Sequence, residues 1–281
     1  MANTTTIEVR QTLPPAKANP HNVKNPVISL VAAGSFLQEM PLIVPIREFL
    51  FQIRKDGQVY WVGAAVPDGI SDFSKVQVFF HPTVKNGKLV HAREGDYPTF
   101  TGGWSGSIQR YVEMQGGQLA GARQTPLLVP FLTMASLSGS APAYMFATRS
   151  METLSAILSA VRVAATGQSG SVAPAQIAVS SFSSGIGAMK LFIKTFGPSG
   201  LIVETTDFDG PFIKGSPRII TSSPGAVGRV FSQIAPARPT PGWTTFPAWK
   251  FQKISSFRKN GAHAQIGWMM FFLAAMTSVI K

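Results

Sequence analysis

Ser183 stands in the run Ser181-Phe182-Ser183-Ser184-Gly185, directly after the apolar stretch Gln176–Ser180 and directly before a segment with helical periodicity. Small residues two before and two after it suit a sharp strand-to-helix turn. Such a turn holds a serine in a strained backbone conformation, and bulkier neighbours would collide with strand and helix. The main-chain N–H of Ser184 would then lie at a helix N-terminus, where a developing oxyanion is stabilised. Only three acids follow Ser183 in the chain, Glu204, Asp207 and Asp209, and only one histidine, His263. Imidazole is the side chain whose ordinary pKa lets it accept a serine proton and return it near neutral pH. Read singly, the same residues are a serine-rich helix cap and a loop histidine.

Other chemistries are thinly represented. The chain has no cysteine, which removes disulfide scaffolds, thiolate metal sites and cysteine nucleophiles. His21, His81, His91 and His263 are scattered singly, so no metal site is expected, and no cofactor is called for because neither a P-loop nor a dinucleotide fingerprint occurs.

The elements that must position these residues follow from the apolar pattern. Glu48–Ile53 and Val59–Val66, separated by Lys55-Asp56-Gly57, read as an antiparallel hairpin. Val76–Phe80 is a strand that stops at His81-Pro82, and Thr125–Leu132, Gln176–Ser180 and Leu201–Thr205 are further strands, with Val27–Ala33 and Ile219–Ser222 as shorter ones. Met151–Ala165 and Ser184–Phe196 carry apolar residues at helical spacing, Ala264–Ile280 reads as a final apolar helix, and Ile108–Met114 as a short one. Strands apolar throughout, alternating with helices, predict an α/β fold. Its central sheet is mixed but mostly parallel, with helices on both faces and N-terminal antiparallel strands. Residues 1–26, with four prolines, read as an extended N-terminal arm, and 27–281 as a single α/β domain.

In a parallel sheet the ligand site lies at the carboxyl ends of the strands, and there the chain resembles the α/β-hydrolase fold. The family motif is Gly-x-Ser-x-Gly; here Ser181 replaces the first glycine. The resemblance implies a lipase- or esterase-like serine hydrolase with Ser183 as nucleophile and partners in the order serine, acid, histidine. Asp209, followed by Gly210-Pro211, is the implied acid, Asp207 the reserve, and His263 the base. The carboxylate would fix the imidazole tautomer and stabilise the imidazolium. Ser184 is one implied oxyanion donor. The other comes from His81-Pro82-Thr83, where many family members carry His-Gly; Pro82 has no N–H, so a main-chain donor there falls to Thr83 or a neighbour such as His81.

The resemblance therefore implies cleavage of a lipid or acyl ester through an acyl-enzyme. A catalytically inactive relative serving as a binding or structural component is the second reading. The third is an anionic-surface or nucleic-acid binder, motivated by charge: of a formal +12, residues 210–281 hold nine basic residues and no acid. Those residues are spread singly apart from Arg258-Lys259, which favours an anionic ester or peripheral contact with a lipid surface over nucleic acid. With 281 residues, 45% hydrophobic and 14% charged, the chain is excluded from the intrinsically disordered class. The final apolar run is at the lower limit for spanning a bilayer and reads as a buried helix, so no transmembrane span is expected. No secretory signal is visible, which makes cytoplasmic localisation the default, with export by a signal-independent route left open.

Overall fold

A computed structural model describes residues 6–12, 16–17, 45–55, 58–81, 125–130, 150–208, 226–232, 252–253 and 278–280. The strands in chain order are β1 (Thr6–Thr12), β2 (Ala16–Lys17), β3 (Pro45–Lys55), β4 (Gln58–Pro67), β5 (Lys75–Phe80), β6 (Leu127–Pro130), β7 (Gln176–Phe182), β8 (Ile202–Phe208), β9 (Val227–Ser232) and β10 (Gln252–Lys253). Among the described residues two α-helices accompany them, α1 (Met151–Thr166) and α2 (Ile186–Phe196).

All ten described strands belong to one sheet, ordered β1-β3-β4-β6-β5-β7-β8-β9-β10, with β2 paired to β3 off this path. The pairs from β1 to β6 through β3 and β4 are antiparallel; from β6 through β5, β7, β8 and β9 to β10 every pair is parallel. The expected mixed, mostly parallel sheet with antiparallel N-terminal strands is therefore the observed one. It is an α/β-hydrolase-like arrangement.

Register explains how one face becomes a core. Phe49, Ala64, Leu128, Val78, Val179 and Thr205 lie in one row across β3, β4, β6, β5, β7 and β8. On this face α1 buries Leu154, Ile157, Leu158 and Val161, and α2 buries Met189, Phe192 and Phe196. Phe192 bridges to the sheet, its ring 5.7 Å from Phe80 and 4.5 Å from Phe196. Both described helices thus share a face. The opposite face is buried as well, through Leu50, Ala65, Phe79, Val129 and Phe182.

Helix α1 is stopped at both ends by identifiable groups. The Ser150 side chain accepts the Thr153 N–H, Gly167 adopts a left-handed φ of 72°, and Arg47 Nη1 donates to the Ala165 carbonyl at 2.6 Å.

Several expectations meet a different outcome. Thr6–Thr12, part of the stretch read as an arm, adds a strand to the sheet by pairing with β3. Val227–Ser232 is a strand that periodicity did not single out. Ser278–Ile280, the end of the expected final helix, is not helical; the rest of that helix lies outside the described residues, as do Val27–Ala33, Ile108–Met114 and Ile219–Ser222.

Candidate functional site

The strand order locates a crevice before any side chain is considered. β5 leads on to β6 on one side of it, while β7 leads on to β8 on the other. Where neighbouring parallel strands send their connections in opposite directions, the space outside their carboxyl ends is the ligand position of an open α/β sheet. The residues at those two ends are His81 after β5 and Ser183 after β7.

Among the described residues Ser183 is the one non-glycine residue with positive φ, at 55°. Strand β7 ends at Phe182, a 3₁₀ turn covers Ser183–Gly185, and α2 continues from Ile186 with no side-chain cap. The N-cap of α2 is thus Gly185 rather than a serine; the chain reverses through a left-handed serine, a conformation costing an L-residue about 1–2 kcal/mol. Only surrounding structure that over-determines the turn can hold it there.

Gly185 supplies part of that determination. A Cβ at this position would collide with the Phe80 carbonyl oxygen and stand 2.9 Å from that of His81. The residue two after Ser183 must be glycine because the end of β5 occupies the space. This contact joins the serine turn to the segment expected to supply the second oxyanion donor. His81 is fully buried there, and Ser183 is 8% exposed.

Ser181, where the family motif has glycine, is fully buried and stands opposite Phe80 on one side and Asp207 on the other. The sheet accommodates its hydroxymethyl group on the α2 face, so the departure from the motif leaves the turn intact.

The acids separate into different environments. Glu204 lies on the face opposite the helices, where its Oε1 meets Arg229 Nη1 at 3.2 Å and its Oε2 accepts the Val279 N–H at 2.9 Å. Both side chains of this ion pair are about 95% buried by their exposures of 5% and 4%, so Glu204 is committed to the interior. Asp207 is fully buried within β8, in the same row as Ser181 and Phe80, on the face that α2 covers. Its carboxylate acts on Lys190 of α2, whose pKa burial pushes down to about 8 while Asp207 pulls it back up. Sequence reasoning missed Lys190. The available signal was its spacing, four after Ile186 and three before Ile193, which sets it beside the apolar stripe of α2. Asp209, His263 and Thr83 lie outside the described residues. The structure thus sets the turn Ser183–Gly185 against the main chain of Phe80 and His81 and puts Asp207 on the strand next to β7. Among the described residues no cluster of His, Asp and Glu could hold a metal ion, and no helix is long and apolar enough to cross a membrane.

No protein-family profile matches the sequence, and no curated protein is significantly similar to it. Solved structures with a related chain path include a cold-adapted esterase from an Arctic intertidal metagenomic library, at TM-score 0.32 and 11% identity over 66% of this chain and 70% of that one. A thermostable esterase from Pseudomonas putida gives TM-score 0.37 and 14% identity over 75% of this chain and 72% of that one. A rice cell wall degrading esterase from Xanthomonas oryzae gives TM-score 0.37 and 14% identity over 72% and 48%. The α/β-hydrolase-like assignment of the fold stands on the strand order and directions.

Proposed function

We propose that this protein is a serine hydrolase that cleaves an ester, a lipid or acyl ester, through an acyl-enzyme intermediate. The observation that carries the reading is the left-handed Ser183 between β7 and α2, followed by Gly185 at a place where the end of β5 leaves no room for a side chain. A serine kept in a strained conformation at the topological crevice is the arrangement a nucleophile requires.

In this reading the Ser183 hydroxyl attacks the ester carbonyl while His263 takes its proton. The new C–O bond forms as the carbonyl π electrons move to oxygen, and the oxyanion is met by the Ser184 N–H together with a donor from the His81–Thr83 segment. Collapse expels the alcohol, which receives the proton from His263. Water then repeats the sequence on the acyl-serine, releasing the carboxylic acid. Asp209, with Asp207 as reserve, holds the imidazole tautomer. The basic residues from Lys214 onward favour an ester that carries negative charge or sits at an anionic lipid surface.

A fluorophosphonate probe tests this directly. A covalent adduct on the folded protein, lost in Ser183→Ala, is the expected result. A folded protein that forms no adduct would overturn the catalytic reading in favour of a binding protein of the same fold.

A further inference from the structure

Residues 278–280 lie far along the chain from the strand they touch, yet one of them donates into the interior. The Val279 N–H meets Glu204 Oε2 at 2.9 Å across a separation of 75 residues. On either side of it Ser278 and Ile280 are buried, while Val279 itself is 42% exposed. The Ile280 N–H turns back to Ser278 Oγ at 3.2 Å and closes a short serine-bridged bend. The segment therefore has an inner side, made of two side chains and one N–H, and an outer side open to water.

Glu204 stands on the face of the sheet away from α1 and α2, beside Ala178 of β7 and Val227 of β9. Arg229, two residues along β9, reaches its Oε1 at 3.2 Å, and both side chains are withdrawn from solvent. A buried ion pair is tolerated when its geometry is good and the remaining lone pairs also find donors. Arg229 serves Oε1, and Val279 serves Oε2. Hydrogen bonds to an ionised carboxylate are shorter and stronger than those to a neutral acceptor, so the segment gains an anchor that a neutral side chain would not give it.

We propose that residues 278–280 are a strap that opens and closes as a unit of its own, with the Glu204 carboxylate as its latch, while the sheet beneath stays folded. The described hold of the strap is the Val279–Glu204 bond and the buried Ile280 side chain, whereas β7 and β8 are ladder-paired on both sides. A segment fastened at so few points opens at a free energy well below that of global unfolding. Opening returns Oε2 to water and leaves Arg229 on Oε1, so the ion pair becomes solvated rather than broken. The inference does not depend on the hydrolase reading, since neither Glu204 nor the strap belongs to the proposed triad.

Hydrogen exchange on the full chain, read by NMR with isotope-labelled valine and isoleucine, tests this, with Val179 of β7 as the reference for the sheet. Val279 is expected to exchange at least about 100-fold slower than an unstructured amide and at least about 10-fold faster than Val179, at a rate that low urea leaves nearly unchanged because local opening exposes little surface. Glu204→Leu combined with Arg229→Met removes the latch without leaving either charge buried alone. In that variant Val279 should exchange within about threefold of an unstructured amide while Val179 stays protected. Val279→Pro removes the donor from the strap side and leaves the ion pair whole, and the Ile280 amide should then exchange at least about 10-fold faster. Val279 exchanging like an unstructured amide in the wild type would overturn the docked strap. Val279 and Val179 exchanging at one rate with one urea dependence would overturn its independence. Protection of Val279 that survives in the paired variant, or an Ile280 rate unchanged by Val279→Pro, would overturn Glu204 as the latch.

Discussion

Ser183 and Gly185 make opposite demands on the backbone, and substitution should separate them. Ser183→Gly relieves a left-handed residue and is expected to raise stability by about 1 kcal/mol in urea unfolding, while abolishing probe labelling. A gain in stability with loss of labelling marks a residue kept for chemistry rather than for the fold. Gly185→Ala should do the reverse, destabilising by about 3 kcal/mol, because the added methyl meets main-chain atoms of Phe80 and His81 that cannot rotate away. Equal stability of Gly185→Ala and wild type would mean that β5 and the serine turn do not touch as described.

At the scale of elements, β8 is the strand on which the two faces of the sheet make different use of acids. Glu204 binds Arg229 of β9 and the Val279 N–H on one face, while Asp207 is buried on the face that α2 covers. Glu204→Ala would leave the Arg229 guanidinium buried without its carboxylate, and a loss of about 3–5 kcal/mol is expected from thermal unfolding. Replacing both members by apolar residues of similar volume should recover most of it, which distinguishes an orphaned charge from lost packing. This pair also shows where the sequence became illegible. The strands β3, β4, β5, β7 and β8 and the helix α1 were readable because their apolar runs or periodicities are local. β9 was not, since Gly228 and Arg229 interrupt its pattern, and a buried arginine makes sense only once Glu204 is beside it. β1 was hidden for a related reason: Thr6–Thr12 is mostly polar and becomes a strand through pairing with β3 rather than through its own preference. Of the candidate site, the serine turn and the position after β5 could be read locally, whereas the Lys190–Asp207 relation needed the register of β7 with β8 and the seating of α2.

For the whole molecule, the proton balance predicts a divergence between stability and activity. The folded chain releases the Lys190 proton near pH 8, whereas the unfolded chain keeps it to about 10.4. Between those values the unfolded state binds more protons, so this group contributes increasing stability as pH rises through 8, complete above about 10.4 and lost as pH falls back through 8. Denaturant titrations at pH 7, 9 and 10 should show a component rising with pH that is missing in Lys190→Met. If activity falls over the same range, the alkaline loss cannot be ascribed to unfolding.

The glycine wedged under the end of β5 has a further consequence, for the order in which the protein becomes functional. Phe80 and Gly185 lie on opposite sides of β6 and α1 in the chain, so the serine turn cannot reach its strained form until segments far apart in sequence have docked. Loop closure of that span is a late and slow event compared with formation of the helices themselves. Reactivity at Ser183 is then a clock for assembly of the parallel half of the sheet: in refolding, probe labelling should appear only after helical signal is complete.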